Sequence, residues 1–491
     1  MTRRATIVGS GPNGLAAAVT LARAGYEVRV LEAASTAGGG TRTAPLTLRG
    51  FQHDVGSAVH PAALTSAFFR AFGLRDRIEW IHPEVSYAHP LERGQAAIAW
   101  RDLERTADGL GRDAGAWRAV LRPLASHLEA LVGFTSSQLL RVPRHPVTVI
   151  RYGLRDLQLG TRAGRALARG TFSTPQADAL LSGVFAHANA PLPSPAAAAA
   201  GLLLAAHAHA GDGWAYPRGG AQAIADALMA DLHEHGGIVE PGQQVHSLEG
   251  LRWGDPSAGD LLLLDTSPYL LLTHPDLPPS YAKALARYRY GHGVAKADFA
   301  LDGPIPWTNP DVARSPTVHL GGLRTEVEDS ENAVARGRVS DRPYVLAVQP
   351  SVLDDSRAPA GKAVLWAYIH VPAGSTLDPT ELIVRQVERF APGFRDRILA
   401  SHAVAAAQRV SLSPSDIGGD ILGGAFTMMQ ALRRPILSPV PWRTPLRGVY
   451  LASASTPPGP GVTGMPGWYA ARQALHDLSG VRIELADLFV E

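Results

Sequence analysis

The sequence predicts a mixed α/β (α+β) protein of two domains interleaved along the chain, opened by a parallel βαβ unit. Three observations predict it. At 491 residues the chain is too long for one hydrophobic core. Ala5–Val8, a buried-strand run, passes through glycines into a helical segment and then a second strand ending on Glu32. Strand-and-helix blocks bounded by glycine return after Gly213 and again near the C-terminus, with no internal repeat and no low-complexity linker between them.

The elements follow in order. Ala5–Val8 reads as a parallel strand, Gly14–Ala24 as a helix ended by Gly25, and Glu27–Leu31 as the next strand. Ala116–Val132 and Gly164–Ala188 are helical segments rich in Ala, Leu and Arg. Ala196–Ala210 is the longest apolar stretch. It is interrupted by His207 and His209 and is short of the ~20 residues that span a bilayer, so it reads as a buried helix. Trp214–Gly220 is a turn, Ala221–His235 an amphipathic helix, and Ile238–Glu240 and Gln244–Leu248 are short strands. Leu261–Leu264 is a fully apolar strand followed by the turn Asp265–Pro268. Gly293–Leu301, Thr317–Leu320, Tyr344–Gln349 and Lys362–His370 are further strand candidates. Gly448–Leu451 reads as a strand, and Met465–Leu478 as the last helix.

Composition removes several function classes. Net charge is +2, so no nucleic-acid footprint is expected. There is no cysteine, which excludes disulfides, cysteinyl metal sites, a cysteinyl flavin link and a redox-active dithiol. No metal cluster is readable. Only Ala5–Val8 follows the basic Met1–Arg4, so no signal peptide is read. The expected location is cytoplasmic, with peripheral membrane contact left open.

Gly9-Ser10-Gly11-Pro12-Asn13-Gly14 is a G-x-G-x-x-G loop set between a strand and a helix, with Glu32 ending the following strand. Gly9 permits the tight turn, Gly11 lets backbone approach a pyrophosphate, and Gly14 brings helix and strand together. The helix N-terminus offers positive charge to phosphate. Glu32 accepts from ribose hydroxyls and disfavours a 2′-phosphate. Gly38-Gly39-Gly40-Thr41-Arg42 is a second glycine turn soon after Glu32. A nicotinamide enzyme has no need of it, but FAD does, because its chain runs on past the pyrophosphate toward the flavin. Arg42 is expected near the diphosphate or the flavin edge. The run Ser455–Met465 is a glycine-proline turn into a helix starting near Val462, whose free N–H groups suit the negative N1–O2 edge of a reduced flavin. The expected cofactor is noncovalent FAD. The residues expected to hold it are Gly9, Gly11, Pro12, Asn13, Gly14, Glu32 and Ala33, then Gly39, Gly40, Thr41 and Arg42. Val245, Ser455, Gly461, Val462 and Thr463 complete the set.

These motifs and several longer runs resemble the phytoene desaturase-like FAD oxidoreductases, in the branch called pyridine nucleotide-disulfide oxidoreductase domain-containing protein 2. The similarity carries Ile7–Ala33, Phe51–Pro61, Tyr216–Gly220, Gly293–Trp307, Thr317–Gly322, Arg357–Pro372, Glu388–Phe394, Ile417–Gly424 and Tyr450–Ala471. The resemblance implies a glutathione-reductase-type FAD-binding Rossmann domain and a substrate domain of mixed sheet plus helices. We place the first at 1–75, 213–270 and 415–491 and the second at 76–212 and 271–414. Gly418–Gly424 lacks the spacing of a second dinucleotide loop. Electrons are therefore expected to pass to oxygen, a quinone or another carrier. The stretch Leu248–Asp260 is shorter than the hairpin usual in the family, and Thr463 stands where this branch often carries histidine.

For chemistry, Lys296 is the sharpest candidate. It stands in an apolar strand and resembles in position the lysine that amine-oxidase-type enzymes set near flavin N5. Asp298 shares its face and is a natural ion-pair partner, which makes a purely structural pair the competing reading. His60 and Tyr216 are the other catalytic candidates. His319 and His370 lie in the family-like runs and read as structural, and Trp366 and Tyr368 as pocket or core. The expected function is FAD-dependent dehydrogenation, desaturation or oxidation of a hydrophobic or amphiphilic substrate by hydride transfer to flavin. A redox-neutral flavin-dependent isomerase and a non-enzymatic FAD-containing interaction protein are the alternatives.

Overall fold

A computed structural model describes residues 3–142, 145–151, 172–480 and 482–489. Two sheets organise it. The first is a parallel sheet of five strands in the order Val449–Leu451, Leu261–Leu264, Arg4–Val8, Glu27–Glu32, Ile238–Pro241. Its strands alternate between two apolar layers. Ala5, Ile7, Val28, Val30, Leu261 and Leu263 pack with the helices Pro12–Arg23, Gln222–Glu234 and Met465–Ser479. Val8, Leu262, Leu264, Val449 and Leu451 face the other way, toward Leu248, Leu271 and Leu285. A strand of four leucines suits this place because both faces of a parallel sheet are covered.

The second sheet has seven strands, in the order Ile398–Val404, Gly293–Leu301, Ala363–Val371, Val345–Val348, Thr317–Leu320, Val85–Pro90, Ala96–Trp100. All neighbours are antiparallel except Thr317–Leu320 beside Val85–Pro90. One face carries Ala295, Ala297, Phe299, Leu365, Ala367 and Ile369 onto the helix Thr380–Glu388. The opposite face carries Val294, Lys296 and Asp298 beside His370, Tyr368 and Trp366. Over that face lies a helical layer that includes Ala114–Ser126, Leu128–Thr135, Pro175–Ala186 and Pro195–Ala208.

Most expected elements appear within a residue or two of their predicted ends. Four do not. Gln244–Leu248 is not a strand: the Leu248 N–H goes to the Thr273 hydroxyl at 2.8 Å, and the parallel sheet ends at Ile238–Pro241. The segment Ala116–Val132 is two helices meeting at His127, whose ring takes the Pro123 carbonyl at 2.9 Å in place of the backbone. Of Gly164–Ala188, Pro175–Ala186 is helical, and its start is fixed by Pro175 and by the Asp113 carboxylate, which accepts from the Ser173 and Thr174 N–H groups at 2.8 and 2.7 Å. The part of that prediction up to residue 171 lies outside the described residues. The last helix starts at Met465 and not near Val462, because Gly464 turns left-handed (φ +68°) just before Pro466 fixes the first turn.

Candidate cofactor and active site

The C-terminal ends of the parallel strands gather the N-terminal motifs. Gly9 has φ +99°, and a Cβ there would fall 2.4 Å from the Asp265 carbonyl oxygen. A Cβ on Gly14 would fall 2.2 Å from the Gly9 carbonyl oxygen. Both glycines are therefore required by the turn itself. Gly11 answers to a different neighbour than expected: its Cβ would meet Asp265 Oδ2 at 2.7 Å, so a protein carboxyl already demands glycine there. The helix Pro12–Arg23 opens without a side-chain cap, and Asn13 is buried with Oδ1 unpartnered. Main-chain donors at a helix end, of which Asp265 Oδ2 takes the Gly14 N–H at 2.8 Å, and an orphaned buried amide oxygen suit a diphosphate and its ribose.

Glu32 is buried at the end of its strand and accepts from Ser10 N at 3.0 Å, Ser10 Oγ at 2.5 Å and Ala34 N at 2.8 Å. An ionised carboxylate has about four acceptor positions, so capacity for one hydroxyl remains. Ala33 is partly buried beside it. The second glycine loop rides on the first. Gly38 N donates to Ser10 Oγ at 3.1 Å, and a Cβ on Gly39 would fall 2.7 Å from Gly11 Cα. Thr41 Oγ1 donates to the Gly38 carbonyl at 2.7 Å. Arg42 donates to the carbonyls of Gly39 at 2.9 Å and Leu412 at 2.7 Å, and burial lowers its affinity for its proton while Glu32 raises it. Gly40 leaves its Cα open to free space, while its carbonyl accepts from Ser57 N at 2.7 Å.

The C-terminal turn closes on the same helix. Helix Met465–Ser479 also starts without a side-chain cap, and a Cβ on Gly467 would fall 1.8 Å from the Asn13 carbonyl oxygen. Two helix N-termini thus lie against each other. Thr463 is tied by its carbonyl to Ser66 Oγ at 2.6 Å, Ser455 Oγ meets Ser453 Oγ at 2.6 Å, and Gly461 has φ +126°. Val462 is partly buried against the helices of this sheet. Val245 packs on the far apolar layer with Val8 and Leu262.

Beside the second glycine loop begins a buried network of charge on the antiparallel sheet. Lys296 and Asp298 form an ion pair with side chains 3% and 1% exposed. Burial lowers the lysine pKa and raises that of the carboxyl, and each charge opposes the shift of the other. Asp298 Oδ1 lies 3.7 Å from His53 Nδ1, and His53 Nε2 reaches the Thr47 hydroxyl at 2.8 Å. Burial, with Lys296 and Arg357 next, pushes His53 down to about 3. Arg357 is buried on Asp54 at 2.6 Å, and Asp54 also accepts from Thr43 Oγ1 at 2.8 Å. The Lys296 ammonium stands 5.5 Å from the centre of the Trp366 ring.

The other two catalytic candidates are held otherwise. Tyr216 is buried and gives its hydroxyl to the Pro350 carbonyl at 3.0 Å, which makes it a strut between segments. His60 is buried, bonded by Nε2 to Ser57 Oγ at 2.9 Å, and pushed down to about 4 chiefly by burial. Through Ser57 it is joined to the second glycine loop. His319 pairs with His187 at 2.8 Å and His370 with Glu331 at 2.8 Å. Four residues of this site were not singled out by sequence: Asp265, Gly467, His53 and Arg357. Asp265 had a signal, since it is the first residue after a buried parallel strand, the end at which α/β sheets bind ligands.

The family model described as flavin containing amine oxidoreductase matches residues 13–470. Over 487 residues the chain is 28% identical to phytoene dehydrogenase of Streptomyces griseus, covering 93% of this chain and 91% of that protein. It is 26% identical to pyridine nucleotide-disulfide oxidoreductase domain-containing protein 2 of Rattus norvegicus over 310 residues, 55% of this chain, and spans about half (52%) of that protein's length. Cyclohexylamine oxidase of Brevibacterium oxydans has a similar fold, with a TM-score of 0.57 at 16% identity, over 97% of this chain and 100% of that one.

Proposed function

The chain belongs to the flavin containing amine oxidoreductase family and is an FAD-dependent oxidoreductase, and from that premise we propose that it removes hydride from a hydrophobic or amphiphilic organic substrate. The observation that carries the reading is the meeting of two helix N-termini at Asn13 and Gly467, over a double glycine loop whose second turn has no use in a nicotinamide enzyme. The cluster at the ends of the parallel strands is the cofactor cradle. Glu32 would accept from a ribose hydroxyl, the loops Gly9–Gly14 and Gly39–Arg42 would hold the diphosphate, and the turn Ser455–Thr463 with its helix would stand at the flavin. The two sheets are the cores of the two domains. FAD, when bound, supplies the hydride-accepting ring.

The chain supplies orientation and proton control. Lys296 Nζ is paired with Asp298 where burial excludes bulk water and lowers the lysine's affinity for its proton, a setting that suits a group positioning a proton or water near the flavin. His53 and Thr47 extend the network toward the partly exposed hairpin around Thr43. Trp366, Tyr368 and Val294 form the apolar wall beside the lysine, which fits an apolar substrate. Released electrons pass to oxygen, a quinone or another carrier. No helix among the described residues is long and apolar enough to cross a membrane. The test is direct. The purified protein is expected to be yellow and to release FAD into the supernatant on acid denaturation. Anaerobic addition of hydrophobic amines, alcohols or polyenes should bleach the flavin for one class. Colourless protein, or flavin retained in the pellet, defeats the noncovalent cradle. Isomer formation without bleaching defeats net oxidation.

A further inference from the structure

Asp265 follows the four-leucine strand Leu261–Leu264 and reaches under the first glycine loop. Its Oδ2 accepts the Gly14 N–H at 2.8 Å, and the Gly11 N–H also bears on it. Its own N–H is fixed to the Val8 carbonyl at 2.8 Å, which anchors its backbone at the strand end. The carboxyl therefore sits at the positive end of the helix Pro12–Arg23, on donors of the same turn that a diphosphate seeks. Glu32 bears on it from the end of Glu27–Glu32, one strand beyond Arg4–Val8, and Arg42 in turn bears on Glu32. The loop Gly9–Gly14 between them carries no titratable side chain.

We propose that Asp265 belongs to the cofactor site as a proton-coupled residue: FAD is bound with Asp265 neutral, and loading of the cofactor takes up a proton there. Three negative centres, the diphosphate, Glu32 and Asp265, would otherwise share one helix end. Ser10 and Ala34 donate to Glu32. Asp265 is the group that yields: burial first, then Glu32, pushes it up to about 7, against the pull of the Gly14 and Gly11 N–H groups. A neutral carboxyl still accepts from Gly14 and removes the repulsion.

The experiment is equilibrium FAD binding to the full chain, from pH 5.5 to 9, with proton exchange measured by calorimetry in buffers of different ionisation heat. FAD itself is the probe. Above the carboxyl's titration, affinity should fall about tenfold per pH unit, with uptake of one proton per FAD. Asp265→Asn keeps an acceptor for Gly14 and carries no charge. It should bind FAD with a flat pH profile and outbind the parent at pH 9. A flat profile with no proton uptake in the parent overturns the proposal without any reliance on the variant. So does an Asp265→Asn protein that keeps the parent's slope. Absence of FAD binding at every pH overturns both this inference and the cofactor cradle, and is told apart by that.

Discussion

The two sheets build their parts of the site from different material. At the ends of the parallel strands most of the important atoms are main-chain ones: glycine carbonyls and N–H groups, two helix ends, and packing so close that a methyl at Gly467 would lie 1.8 Å from an oxygen. On the antiparallel sheet the important atoms are side chains: Lys296, Asp298, His53 and Arg357, brought together from strands and a hairpin far apart in sequence. The same division holds for histidines. His53, His89 and His207 are buried on the antiparallel side and held below their ordinary proton affinity chiefly by burial. At Gly9, Gly14 and Gly467 an added atom has no room.

The largest expected effect is at Gly467. Gly467→Ala should cost on the order of 3 kcal/mol or more, because backbone must move and no side chain can give way. A melting temperature near the parent's, with full flavin, would show that the two helices do not touch as described. Next is Gly11→Val, which drives a branched side chain into Asp265 Oδ2. FAD occupancy should vanish while the antiparallel sheet survives in hydrogen exchange. Undiminished occupancy would place the cofactor elsewhere.

Lys296→Met probes the other side. Methionine keeps most of the stem and removes the charge. If the pair is only structural, the stranded Asp298 lowers stability by about 3 kcal/mol and flavin kinetics stay unchanged. If Lys296 handles a proton near the flavin, flavin reduction or reoxidation slows while FAD occupancy holds. Melting and stopped-flow absorbance on one preparation separate the two outcomes, and the second is expected.

The smallest effect is a slope. His60 is held down to about 4 by burial, against an ordinary value of 6.5, so the unfolded chain binds more protons between those values. Its contribution to stability is complete above pH 6.5 and is lost as pH falls toward about 4. In His60→Gln the pH dependence of urea stability over that window should shrink by one proton, about 1.4 kcal/mol per pH unit. An unchanged slope would mean that His60 charges without opening the fold.

Local chemistry made much of the cofactor side readable. Strand, glycine loop, helix and Glu32 lie within one short stretch, and each residue's role depends on its chain neighbours. Where that local logic was stretched it slipped: Gln244–Leu248 has strand-like residues and no neighbouring strand to bond, and Val462 precedes the helix because Gly464 and Pro466 set the start. On the antiparallel sheet, Lys296 and Asp298 were legible as a pair because residues two apart share a strand face. Tyr216 had the chemistry of a catalytic residue, yet its hydroxyl is spent on Pro350.

The sequence by itself determined the fold class, the cofactor and the order of the N-terminal loop, because turn geometry and helix-end electrostatics act over a few residues. The partners only the tertiary structure decided: Gly467 against Asn13, His53 against Asp298, Arg357 against Asp54, and Asp265 beneath the first glycine loop. Each of these joins segments that the chain sets far apart, and nothing in the spacing of residues records which buried group will face which until both sheets are packed.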